Sequence, residues 1–240
     1  NSFNAYTAQT NSPVWINTGL VRKSAGAGFS QINNFNVTFS PGGVVDVQSG
    51  TLRFGGGASN TLAGSFTAAI GATLDLNSGT YYDAGGVASG AGFNRFNGTT
   101  LNLRTNIIPG LLHSGGTVVL GPNFQNAGAI TNLTLDGSTL IGSHRVSGIF
   151  VVNSGSLVNQ LTILSGGQLQ FNTAANKFLD TLNLINQGTV MWNDGQLLNG
   201  GQPATVVSNG GQWFMTGDNS FNAYSGQTNS PVWINTGLVR

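Results

Sequence analysis

The feature that most constrains this chain is the duplication of its own ends. Residues 1–22 read NSFNAYTAQTNSPVWINTGLVR, and the same string returns at residues 219–240 with Ser225 in place of Thr7 and Gly226 in place of Ala8. The sequence therefore has a period of 218 residues. A long period belongs to repeat architectures, in which one copy completes its core against the next. Residues 1–218 read as one repeat unit and 219–240 as the start of the next, and this predicts a native chain that continues past both ends.

Composition narrows what such a unit can be. Charged residues make up 6% of the chain, against about 25% in an ordinary soluble domain. Glu is absent, all seven acids are Asp, and Gly alone supplies 37 of 240 residues. Asn, Ser and Thr fill most other polar positions, which is turn and strand chemistry and poor helix chemistry. A net charge of +1 gives no electrostatic reason to bind nucleic acid. With no Cys, disulfide scaffolds and thiolate metal sites are excluded. No apolar run approaches the roughly 18 residues of a membrane-spanning helix, so no membrane span is predicted.

Short stretches alternate with period two and end at Gly. In Val45-Asp46-Val47-Gln48 and Thr51-Leu52-Arg53-Phe54 the valines, Leu52 and Phe54 should face inward, and Asp46, Gln48 and Arg53 outward. The same grammar recurs at Ala72–Gly79, Leu133–Gly137, Gln168–Phe171 and Thr181–Leu184. The best helix candidate, Thr173 to Leu179, reads better as a loop or bulge. Corner glycines at 19, 43, 71, 98, 116, 137, 167, 188, 211 and 237 stand 18 to 30 residues apart. That spacing predicts an all-β fold, a right-handed parallel β-helix (β-solenoid) of about ten coils per 218-residue unit, right-handed because parallel crossovers nearly always are. Coils spaced about 4.8 Å apart would advance roughly 45–55 Å per unit. Asn17, Asn153 and Asn186, near corners, should adopt left-handed backbone or bond the turn.

The stretch PGGVVDVQSGTLRFGGG at 41–57, with Trp15-Ile16-Asn17-Thr18-Gly19, Asn186-Gln187-Gly188-Thr189-Val190 and Ser165-Gly166-Gly167-Gln168-Leu169, resembles the repeats of large bacterial surface proteins. These are the β-helical autotransporter passengers, filamentous haemagglutinin-like adhesins and giant tandem-repeat fibre proteins. The resemblance is one of texture and spans most of the chain. It implies export to the cell surface or beyond, a rod-like shaft, and a fibrous or adhesive role.

Reactive groups are sparse. No two Asp residues lie closer than eight positions apart in sequence, and Asp46 with Asp75, one coil apart, is the best candidate pair for acid/base or Ca²⁺ chemistry. His113 and His144 could approach across a coil, but two His without carboxylates make a weak metal site. No phosphate-binding loop, dinucleotide fingerprint or nucleophile elbow occurs. No catalytic, cofactor or metal residue is assigned. In Val14-Trp15-Ile16, if the aliphatics face inward, Trp15 and its copy Trp233 face outward, once per unit, as candidate surface-contact residues.

The expected function is a structural spacer: an extracellular β-solenoid stalk with no chemistry of its own, partnered end to end by further copies and laterally by other rods. The alternative is a carbohydrate-binding or lyase-like β-helix that meets a glycan or other cell-surface ligand.

Overall fold

A computed structural model of the chain describes residues 2–5, 13–201, 203–224 and 230–240. The described residues contain strands, turns and bends and no helix, and the strands form a parallel β-solenoid of about ten turns. By its contacts the chain divides into two compact units, Asn1–Leu120 and Gly121–Arg240, so contact density does not follow the 218-residue repeat.

In the first unit the first four coils contribute a strand to each of three parallel sheets, and the last two coils to the first and second sheets only. The first sheet stacks Ser2–Asn4, the start of Phe29–Phe39, then Thr51–Gly56, Thr73–Ser78, Phe93–Phe96 and Leu112–His113. The second stacks Val14–Asn17, the end of Phe29–Phe39, then Asn60–Leu62, Thr80–Asp83, Thr100–Leu103 and Thr117–Leu120. The third stacks Leu20–Lys23, Val44–Val47, Ser65–Ala68 and Val87–Ser89. Coil length varies: Ser2 lies beside Gln31, 29 residues on, and Arg95 beside Leu112, 17 on. Loops of different length leave the ladder unchanged, because only the strands must stay in register.

The second unit follows the same plan. Ala129–Ile163 pairs with Gln168–Phe171 and Lys177–Asn186, and these with Thr189–Trp192, Gln196–Gly200 and Val206–Asn209. Gln212–Met215 follows Thr189–Trp192, and the duplicated strands Ser220–Ala223, Val232–Asn235 and Leu238–Val239 close the stack.

Alternation sets the core as expected. Val45, Val47, Leu52, Phe54, Leu74, Leu76, Leu133, Leu135, Leu169, Phe171, Leu182 and Leu184 are all buried. In the first unit Phe39, Phe54 and Phe66, one from each sheet, meet edge to face, with ring centroids 5.0 and 5.1 Å apart. Edge-to-face pairs favour the ring quadrupoles and add about 0.5–1.5 kcal/mol to the burial itself. Of the stretch Thr173–Leu179 read as a loop or bulge, Thr173–Asn176 is a loop, whereas Lys177, Phe178 and Leu179 open the strand Lys177–Asn186, paired with the coils on either side.

Corners are built in two ways. Where one strand bends from one sheet into the next, the bend residue takes a left-handed backbone and the register slips: Asn34 (φ 64°) and Asn159 (φ 79°) do this. At the other kind, backbone passes directly over backbone. Gly167, Gly188, Gly211 and Gly237 stack at one such corner, and a Cβ on Gly188, Gly211 or Gly237 would collide with the carbonyl oxygen of the glycine one coil earlier. Asn17 and Asn186 do not adopt the left-handed form; each bonds the turn, accepting from the amide of Gly19 or Gly188. Asn153 bonds Asp136 instead.

Candidate functional site

The tryptophans of the duplicated segment face the opposite way from the sequence expectation. Trp15 stands in register with buried Val37, and Trp233 with buried Val207, whereas Val14 and Ile16 are exposed beside Asn36 and Thr38. Strict alternation does not fix which face of Val-Trp-Ile is inner. The neighbouring coil fixes it, together with Asn17, which lies on the Trp15 face and is buried at its corner. Trp15 meets the rings of Phe3, Phe35 and Phe54 at 5.8, 6.0 and 6.3 Å. Trp233 meets Phe221 at 6.2 Å and fully buried Trp213 at 4.5 Å, and remains 37% exposed because no later coil covers it.

The first unit opens on a hollow. A space of about 560 Å³ is bordered by Phe3, Trp15, Val21, Ile32 and Leu52 among others, and one of about 540 Å³ by Phe3, Val14, Trp15, Ile16 and Phe35. Both are lined by residues of the first coils and are largely apolar.

The candidate acid pair does not form. Asp46 belongs to the third sheet and Asp75 to the first. Asp46 pairs with Arg22 at 2.8 Å. Asp75 is fully buried rather than exposed as a single outward charge, held by Arg53 at 3.0 Å and Arg95 at 3.1 Å from the coils on either side. Sequence reasoning missed this rank: Arg53, Asp75 and Arg95 stand one coil apart, and that register is set by coil lengths that vary along the chain. The two His lie in different units: His113 is buried at a strand end, and His144 Nε2 donates to Ile141 O, 3.0 Å away. Burial lowers the His144 pKa from its ordinary value.

Two lysines act as corner fasteners that the sequence did not announce. Lys23 donates to the carbonyls of Ala25 and Gly26, both at 2.7 Å. Lys177, fully buried, donates to Thr173 O and, at 2.9 Å, to Asp194 O. Burial pushes its ammonium down to about 8, against the opposing pull of Asp194. Burial also raises the Asp180 carboxyl, with a hydrogen bond from Ser156 acting the other way.

Asparagines make a second longitudinal device. Asn186 Nδ2 donates to Asn209 Oδ1 at 2.6 Å, and Asn209 Nδ2 to Asn235 Oδ1 at 2.7 Å, so the amides bond coil to coil up to the end of the chain. Asn193 donates to Asn172 in the same manner at 2.6 Å. Each such bond contributes about 1 kcal/mol and penalises a slip of register more than that.

Among the described residues no group of three or more His, Asp or other metal-ligating side chains stands together. Among the described residues no helix is long and apolar enough to cross a membrane. Arg22, Asp46, Arg53, Asp75 and Arg95 tie coils together, Lys23 and Lys177 tie loops, and two openings with apolar lining lie at the first coils. No family model, curated protein or solved structure matches the chain.

Proposed function

We propose that this chain is a structural segment of an extracellular tandem-repeat fibre or adhesin stalk, a β-solenoid spacer whose role is length and stiffness. The reading is supported above all by the behaviour of the duplicated segment. At both places it forms the same three strands, and the same aromatic pair recurs: Phe3–Trp15 at 5.8 Å and 68°, Phe221–Trp233 at 6.2 Å and 66°. A sequence that rebuilds the same coil after one period can be stacked without limit, because each new copy finds the surface that the previous one left. The resemblance to bacterial surface repeats and the scarcity of charge agree with export. Electron microscopy of native material should show rods or fibres. Compact, separate particles of about the mass of this chain, 24.7 kDa, would refute the reading.

A second reading, carbohydrate binding, has one observation in its favour. Phe29 and Phe93, 57% and 59% exposed, stand in one rank of the first sheet with Thr51 and Thr73 between them. The adjoining rank is Gln31, Arg53, Asp75 and Arg95. Apolar rings beside hydroxyl, amide and guanidinium groups are the chemistry that recognises sugar faces and edges. A glycan array probed with the intact protein tests it: binding should fall at least tenfold in Phe93→Ala, and a blank array together with a blank lyase and hydrolase screen removes it.

A further inference from the structure

On the outer face of the first sheet two guanidinium groups share one carboxylate. Arg53 Nε donates to Asp75 Oδ2 at 3.0 Å and Arg95 Nε to Asp75 Oδ1 at 3.1 Å. Each arginine commits only its Nε–H in this way, and the terminal N–H groups of both meet no acceptor among the described residues. Asp75 is fully buried while both arginines are partly exposed, so solvent meets the cations and not the anion. Two Arg against one Asp leave a net charge of +1, because the other outward residues here, Gln31, Thr51, Thr73 and Phe93, are uncharged. Arg53 stands between Gln31 and Asp75, and Arg95 between Asp75 and Leu112, so the exposure of the pair belongs to the face of the stack.

Asp75 also holds the two cations in place. One carboxylate oxygen is committed to each arginine, and the Arg53 guanidinium lies over the Phe29 ring, 5.4 Å from its centroid. The two backbones are two strand spacings apart, about 10 Å. Side-chain freedom that an incoming anion would otherwise have to freeze is therefore already lost in the fold. Phe93, on the same strand and the same face as Arg95, presents an exposed ring, with Thr73 in register beside it.

From this we infer that the face made by Arg53, Arg95, Phe93 and Thr73 is a binding site for an anionic polysaccharide. A sugar ring lies on Phe93, and carboxylate or sulfate groups along the chain accept from the unused N–H groups of the two arginines. The inference rests on the carbohydrate reading of this sheet and adds the class of sugar. Guanidinium forks match anions that offer two oxygens, and both carboxylate and sulfate do so. A neutral sugar would use the ring and the hydroxyl and leave the surplus charge unmatched. Nucleic acid fits less well, since its backbone asks for many phosphates to be neutralised and this face has one charge to spare.

Calorimetric titration of the full chain tests the assignment, with oligogalacturonate, dextran sulfate, neutral dextran and a single-stranded oligothymidylate as probes. At least one of the two anionic sugars should bind about tenfold more tightly than dextran, and more weakly as salt is raised. Which of the two binds separates carboxylate from sulfate recognition. Phe93→Ala, a change at an exposed ring that spares the core, should weaken that binding about tenfold, as should Arg95→Gln. Arg95→Lys, which keeps a cation beside Asp75 and hence the fold, should weaken it about threefold for loss of the fork. Arg104→Gln removes the same charge from beside Tyr82, past the end of a second-sheet strand, and should leave binding unchanged. Equal binding of dextran and the anionic sugars, with Arg95→Gln silent, overturns the anionic assignment and leaves sugar binding standing. An equal loss in Arg104→Gln, or an oligothymidylate that binds as tightly as the sugars, overturns it as unspecific charge attraction. Failure of every sugar to bind defeats the carbohydrate reading as well.

Discussion

Asp75 shows how few charges this fold uses and how much each one holds. Its buried carboxylate joins Arg53 and Arg95 on the coils before and after, so one side chain ties three coils. The two guanidinium groups are partly hydrated, at 32% and 39% exposure, which limits what they lose when the carboxylate goes. Asp75→Asn should destabilise by about 1–3 kcal/mol, read as a lower urea midpoint at unchanged m. Tyr81 gives a pH signature. Burial raises its phenol above the ordinary value, and its hydroxyl donates to Phe54 O at 3.1 Å. The folded protein thus keeps a proton that the unfolded chain releases above a pH of about 10. Its stabilising contribution is full below that pH and is lost as pH rises beyond it. Tyr81→Phe should cost about 1 kcal/mol at neutral pH for the lost hydrogen bond, and the gap to the parent should close above pH 10 in denaturant titrations.

At the level of strands and corners, the sequence was most legible where alternation ran for four or more residues. Val45 and Val47, Leu52 and Phe54, and Leu74 and Leu76 were placed inward from pattern alone and are buried. Val-Trp-Ile was too short to set its own phase, and the neighbouring Val37 reversed it. The glycine corners were half legible. Gly167, Gly188, Gly211 and Gly237 do form one stacked column, while Gly71 and Gly98 serve turns elsewhere in the coil. A glycine code does not say which of a coil's corners it marks; backbone proximity from the coil before decides that. Gly211→Ala should therefore cost about 1–3 kcal/mol in overpacking although φ there is ordinary. Gly19→Ala, whose Cβ would meet nothing within 4 Å, should be nearly silent in the same thermal or urea measurement. The Arg53–Asp75–Arg95 rank and the Asn186–Asn209–Asn235 run escaped reading because they are 20 to 26 residues apart in sequence, and their proximity exists only once the coil lengths are known.

For the molecule as a whole, the 218-residue period carries the functional argument. The period was plain in the sequence; what the structure adds is that the repeated segment reforms its strands, its Phe–Trp pair and its register, once with its forward side covered and once with its backward side covered. The two positions at which the copies differ lie outside the described residues. A solenoid that adds whole periods adds length in fixed steps, and that is the central claim to test. Chains of one, two and three 218-residue periods should be compared by small-angle scattering and electron microscopy. The cross-section should stay constant and the length should increase by about 45–55 Å with each period. A maximum dimension that grows with the square root of unit number, as for compact beads on flexible joints, would contradict it.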